Sequence, residues 1–203
     1  MVKEFVKADY IRDCALKLVD KMYREDNFIP DVIYCSLRGG AYMANVMSEY
    51  YKMVRLKNEG RPVFYAAVVA RSYGFLRSQS KVIVDGWTYA PEHLRSGDKI
   101  LIVDDIFDTG KTVNALTQIV IEQGIPREDI KVAVFDYKVF PDKEQLEVQP
   151  DYWCRKHVIN KPEDERWIHY NCHEFIGLTS EEIDAQYEDP EVKEILHRVR
   201  GDK

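Results

Sequence analysis

The sequence predicts an α/β domain, with a mostly parallel, twisted sheet flanked by helices. Three observations carry that expectation. Short runs rich in valine and isoleucine, such as "DVIYCSL", "KILIVDD" and "DIKVAVFDYK", alternate along the chain with longer segments whose apolar residues recur at helical spacing. Glycine or proline stands at the joints between them. Hydrophobic residues make up 45 % of the 203 positions, enough for one real core.

In chain order, Asp9 is placed to cap a first helix, and Ile11, Ala15, Leu18, Val19 and Met22 form its apolar face. Pro30 closes that segment. "DVIYCSL" reads as a short buried strand and "RGGAYMANVMSEYYKM" as a glycine turn entering a second helix. "RPVFYAAVVARSY" is a strand. The polar, turn-rich stretch from Gly74 to Asp98 holds only a short "KVIV" strand and is long enough to be a mobile active-site loop. "KILIVDD" is the strongest strand signal. The helix after it has Val113, Leu116 and Val120 on one face, with Gly124 and Pro126 as stops. "DIKVAVFDYK" is the next strand. From about Val139 to Asn171 the chain reads as turns and short strands, and "EEIDAQYEDPEVKEILHRVR" as a polar helical tail. The expected organisation is one domain over 1–203. Its core is about 28–138, a hood comes from the N-terminal segment and about 139–180, and a helical tail covers 181–203.

The net charge of −6 and the lack of a long basic run argue against nucleic acid as the main partner. "MVKEFVKADYIRD" has no apolar signal core and no segment reads as a membrane span, so a cytoplasmic location is the expectation. Cys14, Cys35, Cys154 and Cys172 form no C-x-x-C pair and read as free thiols.

The segment "ILIVDDIFDTGKT", Ile100 to Thr112, concentrates the chemistry. A P-loop would need glycine where Asp105 stands, five residues before Gly110. A phospho-acceptor receiver domain would need most of its α/β fold to follow the paired aspartates, and too little alternating chain remains. A third reading fits. Ligands of open α/β sheets bind at the C-terminal ends of the strands. There, Asp104 and Asp105 can accept hydrogen bonds from the vicinal hydroxyls of a ribose. Thr109, Gly110, Lys111 and Thr112 then open a helix whose N-terminal N–H groups suit a phosphate. One segment can thus hold a sugar and its 5′-phosphate.

With those residues in view, the sequence resembles the type I phosphoribosyltransferases, and within them the 6-oxopurine (hypoxanthine, guanine, xanthine) members. "ILIVDDIFDTGKT" resembles their motif for phosphoribosyl pyrophosphate (PRPP). Three further segments agree in chain order, so the resemblance runs from about Asp31 to Glu174. "SLRGG" resembles the pyrophosphate loop, which implies a cis Leu37–Arg38 bond and diphosphate contacts from Leu37, Arg38 and Gly39, with Arg71 added. "ARSYG" resembles the Ser-Tyr pair that opens a catalytic flexible loop, here Ser72 and Tyr73, with a lid running to about Thr88. "FDYK" and "RWIHYNCHE" resemble the base-binding segments. They imply that Lys138 reads the 6-oxygen of a purine, Trp167 stacks on the base and Ile168 meets its edge through the backbone. Glu174, seven residues after Trp167, matches an acidic residue that binds magnesium and pyrophosphate, with Asp104 as a second metal residue. Bacterial xanthine-guanine relatives have Pro-Trp-Asp or Pro-Trp-Glu where this chain has Asn171, Cys172, His173 and Glu174, which leaves the choice among the three bases open.

The resemblance implies a purine salvage enzyme that uses Mg²⁺. It would join PRPP to a 6-oxopurine, with Asp108 as the base that takes the purine proton, in a homodimer or homotetramer. The alternative is a regulator of the same fold that senses PRPP or nucleotides. His169 and His173 do not suggest a zinc pair, because "WIHYN" reads as extended and sets them over ~12 Å apart.

Overall fold

The computed structural model describes residues 2–58, 60–73, 81–144 and 146–201, with the backbone alone at 71–73 and 81. In chain order the elements are β1 (Lys3–Val6), α1 (Ala8–Asp26), β2 (Val32–Leu37), α2 (Ala41–Lys57), β3 (Phe64–Tyr73), β4 (Lys81–Trp87), β5 (Ile100–Phe107), α3 (Lys111–Glu122), β6 (Ile130–Val139), β7 (Tyr152–Val158), β8 (Trp167–Tyr170), α4 (Ser180–Gln186) and α5 (Pro190–Arg200). They fall into two compact units, Ile11–Asp164 and Met1–Tyr10 with Glu165–Lys203.

The large unit is a six-stranded sheet in the order β4-β3-β2-β5-β6-β7. All its neighbours pair in parallel except β3 and β4. β2 and β5 lie at the centre, which is why their sequences are continuous apolar runs rather than alternating ones. α3 lays Val113, Leu116 and Val120 on one face, against Tyr34, Ile102 and Val134. α2 buries Met43, Ala44, Met47, Tyr51 and Val54 and contacts β2 and β5. α1 buries the five residues its spacing predicts. Asp9 is not its cap, however. The helix starts at Ala8, so Asp9 lies in the first turn, where its carboxylate accepts the Tyr10 N–H at 3.0 Å.

Three expectations are corrected here. The turn-rich stretch contains a longer strand than "KVIV": β4 runs through Trp87 as the antiparallel partner of β3. The chain after Val139 contributes β7 to the main sheet, so residues 139–164 pack with the large unit and not with the hood. β7 is one of the short strands expected in this stretch, but its half-buried Arg155 and His157 are polar and gave no sign that it joins the main sheet. Arg155 donates to both carboxylate oxygens of the fully buried Asp136, at 2.7 and 2.9 Å, and His157 Nε2 lies 2.7 Å from Oδ1. Buried charges are tolerated when paired in this way. Finally, the tail is two helices, because Asp189 caps a new one and Pro190 takes its first position.

In the small unit, β1 pairs in parallel with β8, Lys3 opposite Trp167. Lys3 Nζ donates to Glu182 at 2.6 Å and ties β1 to α4, whose N-terminus is closed by a Thr179–Glu182 capping box. All four cysteines are free. Burial pushes the Cys35 thiol up to about 11 and Cys154 further still. Among the described residues no helix is long and apolar enough to cross a membrane.

Candidate active site

β5 carries its apolar run through the centre of the sheet and ends in acid. Asp104 is buried, and its Oδ1 accepts the Asp105 N–H at 3.0 Å. Asp105 Oδ1 accepts the Ile106 N–H at 2.8 Å. Burial pushes the Asp104 carboxyl well above the usual carboxylate range, and the adjacent Asp105 carboxylate pushes it further. The Asp105 N–H and the Ser36 hydroxyl oppose the shift without cancelling it. This is a site that gains from an incoming hydroxyl donor or cation.

The loop leaving β2 lies directly against these acids. Its Leu37–Arg38 peptide is cis, at the bond singled out in the sequence. A Cβ on Gly40 would fall 2.5 Å from the Val103 carbonyl, against backbone that cannot give way, and one on Gly39 would fall 2.0 Å from Asp105 Oδ2, so there the carboxylate would have to turn aside. Arg38 is exposed beside them.

After β5 the chain turns through Gly110, at φ +73°, where a Cβ would strike the Phe107 ring at 2.2 Å. α3 then begins with no side chain capping it. Its leading N–H groups have no partner within the helix and form a positive terminus. A cavity of about 390 Å³ lies between these features, lined by Leu37, Gly39, Asp104, Asp105 and the run from Asp108 to Thr112. One side offers carboxylates for hydroxyl groups or a cation, and the other offers N–H and hydroxyl donors for an anion.

Lys138, next to last in β6, is buried, with Nζ 3.9 Å from Asp108 Oδ1. A second cavity, of about 240 Å³, shares Asp108, Thr109 and Lys111 with the first and adds Lys138, Phe140 and Lys143. The large unit therefore gathers Leu37, Gly39, Asp104, Asp105, Asp108 to Thr112 and Lys138. Arg71, Ser72 and Tyr73 end β3, but their side chains lie outside the described residues, as do residues 74–80 of the expected lid. The remaining candidates belong to the small unit. Trp167 is 54 % exposed on β8 and Ile168 is buried. Glu174 closes a turn, its Oε2 accepting the Tyr170 N–H at 2.8 Å. His169 packs on Phe5, and His173 stacks on Tyr170. Among the described residues no three acidic, histidine or cysteine side chains converge as a metal cage. Mg²⁺ does not need one, since one or two carboxylates with water and substrate phosphates suffice, and Asp104 and Asp105 fit that donor set.

Sequence reasoning missed Ser36, whose hydroxyl supports Asp104, and the trio Asp136, Arg155 and His157 beside Lys138. Ser36 stood within the "SLRGG" motif. The trio left no sequence signal, because Asp136 lies on β6 and its two partners on β7.

Fold and site together define an α/β protein with an acidic strand end facing an open helix terminus. Residues 4–172 match the family described as the phosphoribosyl transferase domain, and the chain belongs to that family. No curated protein sequence matches the chain. Solved structures share the fold. A purine phosphoribosyltransferase from Pyrococcus horikoshii OT3 aligns at TM-score 0.64 and 22 % identity, over 88 % of this chain and 99 % of that one. A hypothetical protein from Neisseria gonorrhoeae with bound ppGpp aligns at 0.59 and 16 %, over 98 % and 99 %. A xanthine-guanine-hypoxanthine phosphoribosyltransferase from Helicobacter pylori aligns at 0.54 and 17 %, over 82 % and 92 %.

Proposed function

We propose that this chain is a purine salvage enzyme that transfers the 5-phosphoribosyl group of PRPP to a 6-oxopurine and releases pyrophosphate. The observation that carries the reading is the shared edge of the two cavities. Asp108 lines the pocket with the paired acids and the open α3 terminus, and it also lies 3.9 Å from Lys138.

In this reading Asp104 and Asp105 accept hydrogen bonds from the ribose hydroxyls. Thr109, Thr112 and the first N–H groups of α3 hold the 5′-phosphate. Arg38 and the Gly39 backbone meet the diphosphate. Holding sugar and base in line lowers the barrier by about 7–11 kcal/mol. Asp108 takes the proton from the attacking purine nitrogen, a step typically worth about 10²–10⁴ in rate. When bound, Mg²⁺ would supply charge neutralisation for the leaving pyrophosphate, with Asp104 and Asp105 as the carboxylates that would hold it. The segment from Ser72 to about Thr88 is assigned to excluding water.

Lys138 sets the base class. An ammonium has three donors and no acceptor, so it satisfies a 6-oxo group and opposes a 6-amino group. A site built on such a bond rejects an analogue lacking it by about 10⁴ or more. Turnover with PRPP and hypoxanthine, guanine, xanthine, adenine, orotate or uracil is the test. Activity is expected on 6-oxopurines and essentially none on the other three. Adenine as the best substrate would overturn the role of Lys138.

A second reading is a PRPP- or nucleotide-sensing regulator. It is favoured by the near full-length likeness to a structure holding ppGpp. The same assay separates the two, because a regulator would bind PRPP with no turnover on any base.

A further inference from the structure

The family match ends at residue 172, and the helical tail lies beyond it. α5 is a well-built helix. The Asp189 carboxylate accepts the Glu191 N–H at 2.8 Å, Pro190 opens the first turn, and Gly201 at φ 90° closes the last. Yet it buries no residue. Val192, Ile195 and Val199 form an apolar stripe at i, i+3 and i+7, with Val199 79 % exposed. Helices this short owe most of their stability to covering an apolar face, and here α4 covers that face only in part, leaving Val192 and Ile195 37 % and 39 % exposed.

The same patch holds both a knob and a socket. Ile176, 93 % exposed, projects from the turn before α4. A cavity of about 240 Å³ opens beside it, among Phe175, Ile183, Leu196 and Val199. A surface that carries knob and socket together is suited to a two-fold contact with its own copy. The charges agree. Glu191 and Arg198 stand seven residues, or about two turns, apart on one side of the helix. With two copies antiparallel, Glu191 of each faces Arg198 of the other. Arg198 pairs with Glu194 of its own helix at 3.7 Å, an exposed pair of little strength. The opposite flank is turned inward, where Arg200 donates to the Leu178 carbonyl at 2.6 Å and His197 lies 3.1 Å from Asp184.

We infer that the α5 stripe docks antiparallel on the α5 stripe of a second copy of this chain, with Ile176 seated in the partner's socket and Glu191–Arg198 pairs on the outer flank. The contact is independent of the catalytic reading.

The test is sedimentation and light scattering of the full chain over a concentration series. Its variants are Ile195→Asp, Glu191→Arg, Arg198→Glu and the double exchange Glu191→Arg with Arg198→Glu. Since Ile195, Glu191 and Arg198 are all exposed, each variant should keep the helical circular-dichroism signal and the turnover of the parent. Ile195→Asp and either single reversal are expected to weaken association by about tenfold or more, and the double exchange to restore it. A parent chain that stays monomeric at every concentration, as it would if the stripe served a different macromolecule, overturns the inference. So does association insensitive to Ile195→Asp, or a double exchange that fails to rescue.

Discussion

At the scale of single residues, the cavity is built from groups placed where they are costly. Asp104 is the clearest case. Its carboxyl is pushed up by burial and by Asp105, so the folded protein holds that proton more tightly than the unfolded chain does. Above the ordinary carboxylate value of about 3.9, the native state therefore binds more protons than the unfolded one, and this group's contribution to stability falls as pH rises. Asp104→Asn removes the penalty. Measured by thermal unfolding without Mg²⁺ or ligand, its Tm should exceed the parent's by at least about 2 °C at pH 8, and the gap should close toward pH 4. A gap that widens toward acid would mean the burial argument has the wrong sign. Asp108 is different, being half exposed and 3.9 Å from Lys138. Asp108→Asn keeps the shape and loses the base. PRPP affinity should hold while kcat for the forward reaction falls by about tenfold or more. Near-normal turnover in that variant would send the search for the base elsewhere.

Elements matter here through what their turns permit. The loop after β2 touches Asp105 because Gly39 has no side chain. In Gly39→Ala the Asp105 carboxylate has to rotate aside and give up its bond to the Ile106 N–H. That rotation disturbs one flexible group and no backbone, so stability should change by less than about 1 kcal/mol while PRPP affinity drops by about tenfold or more. Gly110→Ala is the contrasting variant. Its left-handed φ and its contact with the buried Phe107 ring make it a folding lesion as well, expected to cost about 1–3 kcal/mol. Denaturant unfolding and PRPP titration on the two variants check the pair. Equal loss of stability in both would show that the close approach of Gly39 to Asp105 is needed for the fold and not only for the ligand.

At the scale of the whole molecule, a buried charge cluster holds the sixth strand in place. Asp136 is fully buried and is met from β7 by Arg155 and His157. Arg155→Met removes the bidentate partner of that buried carboxylate, leaving His157 against it, and should cost about 3–5 kcal/mol in equilibrium unfolding. Asp136→Leu combined with Arg155→Met removes both charges and should recover most of it. Failure of the double variant to recover would mean that β7 is held by something other than this pairing.

The outcome separates what local sequence can carry from what it cannot. The five buried residues of α1, the buried run of β5, the glycine turns and the Asp104 to Thr112 segment were legible, because each depends on a period or a motif within one stretch of chain. The cis Leu37–Arg38 bond was legible only through family resemblance. The place of β7, the Asp136 cluster, the parallel pairing of Lys3–Val6 with Trp167–Tyr170 and the nearness of Lys138 to Asp108 were decided by tertiary structure. A polar strand whose charges are met by another strand has no apolar period to reveal it. Residues brought together from distant points of the chain are matched by the geometry of the sheet, which no single stretch of sequence contains.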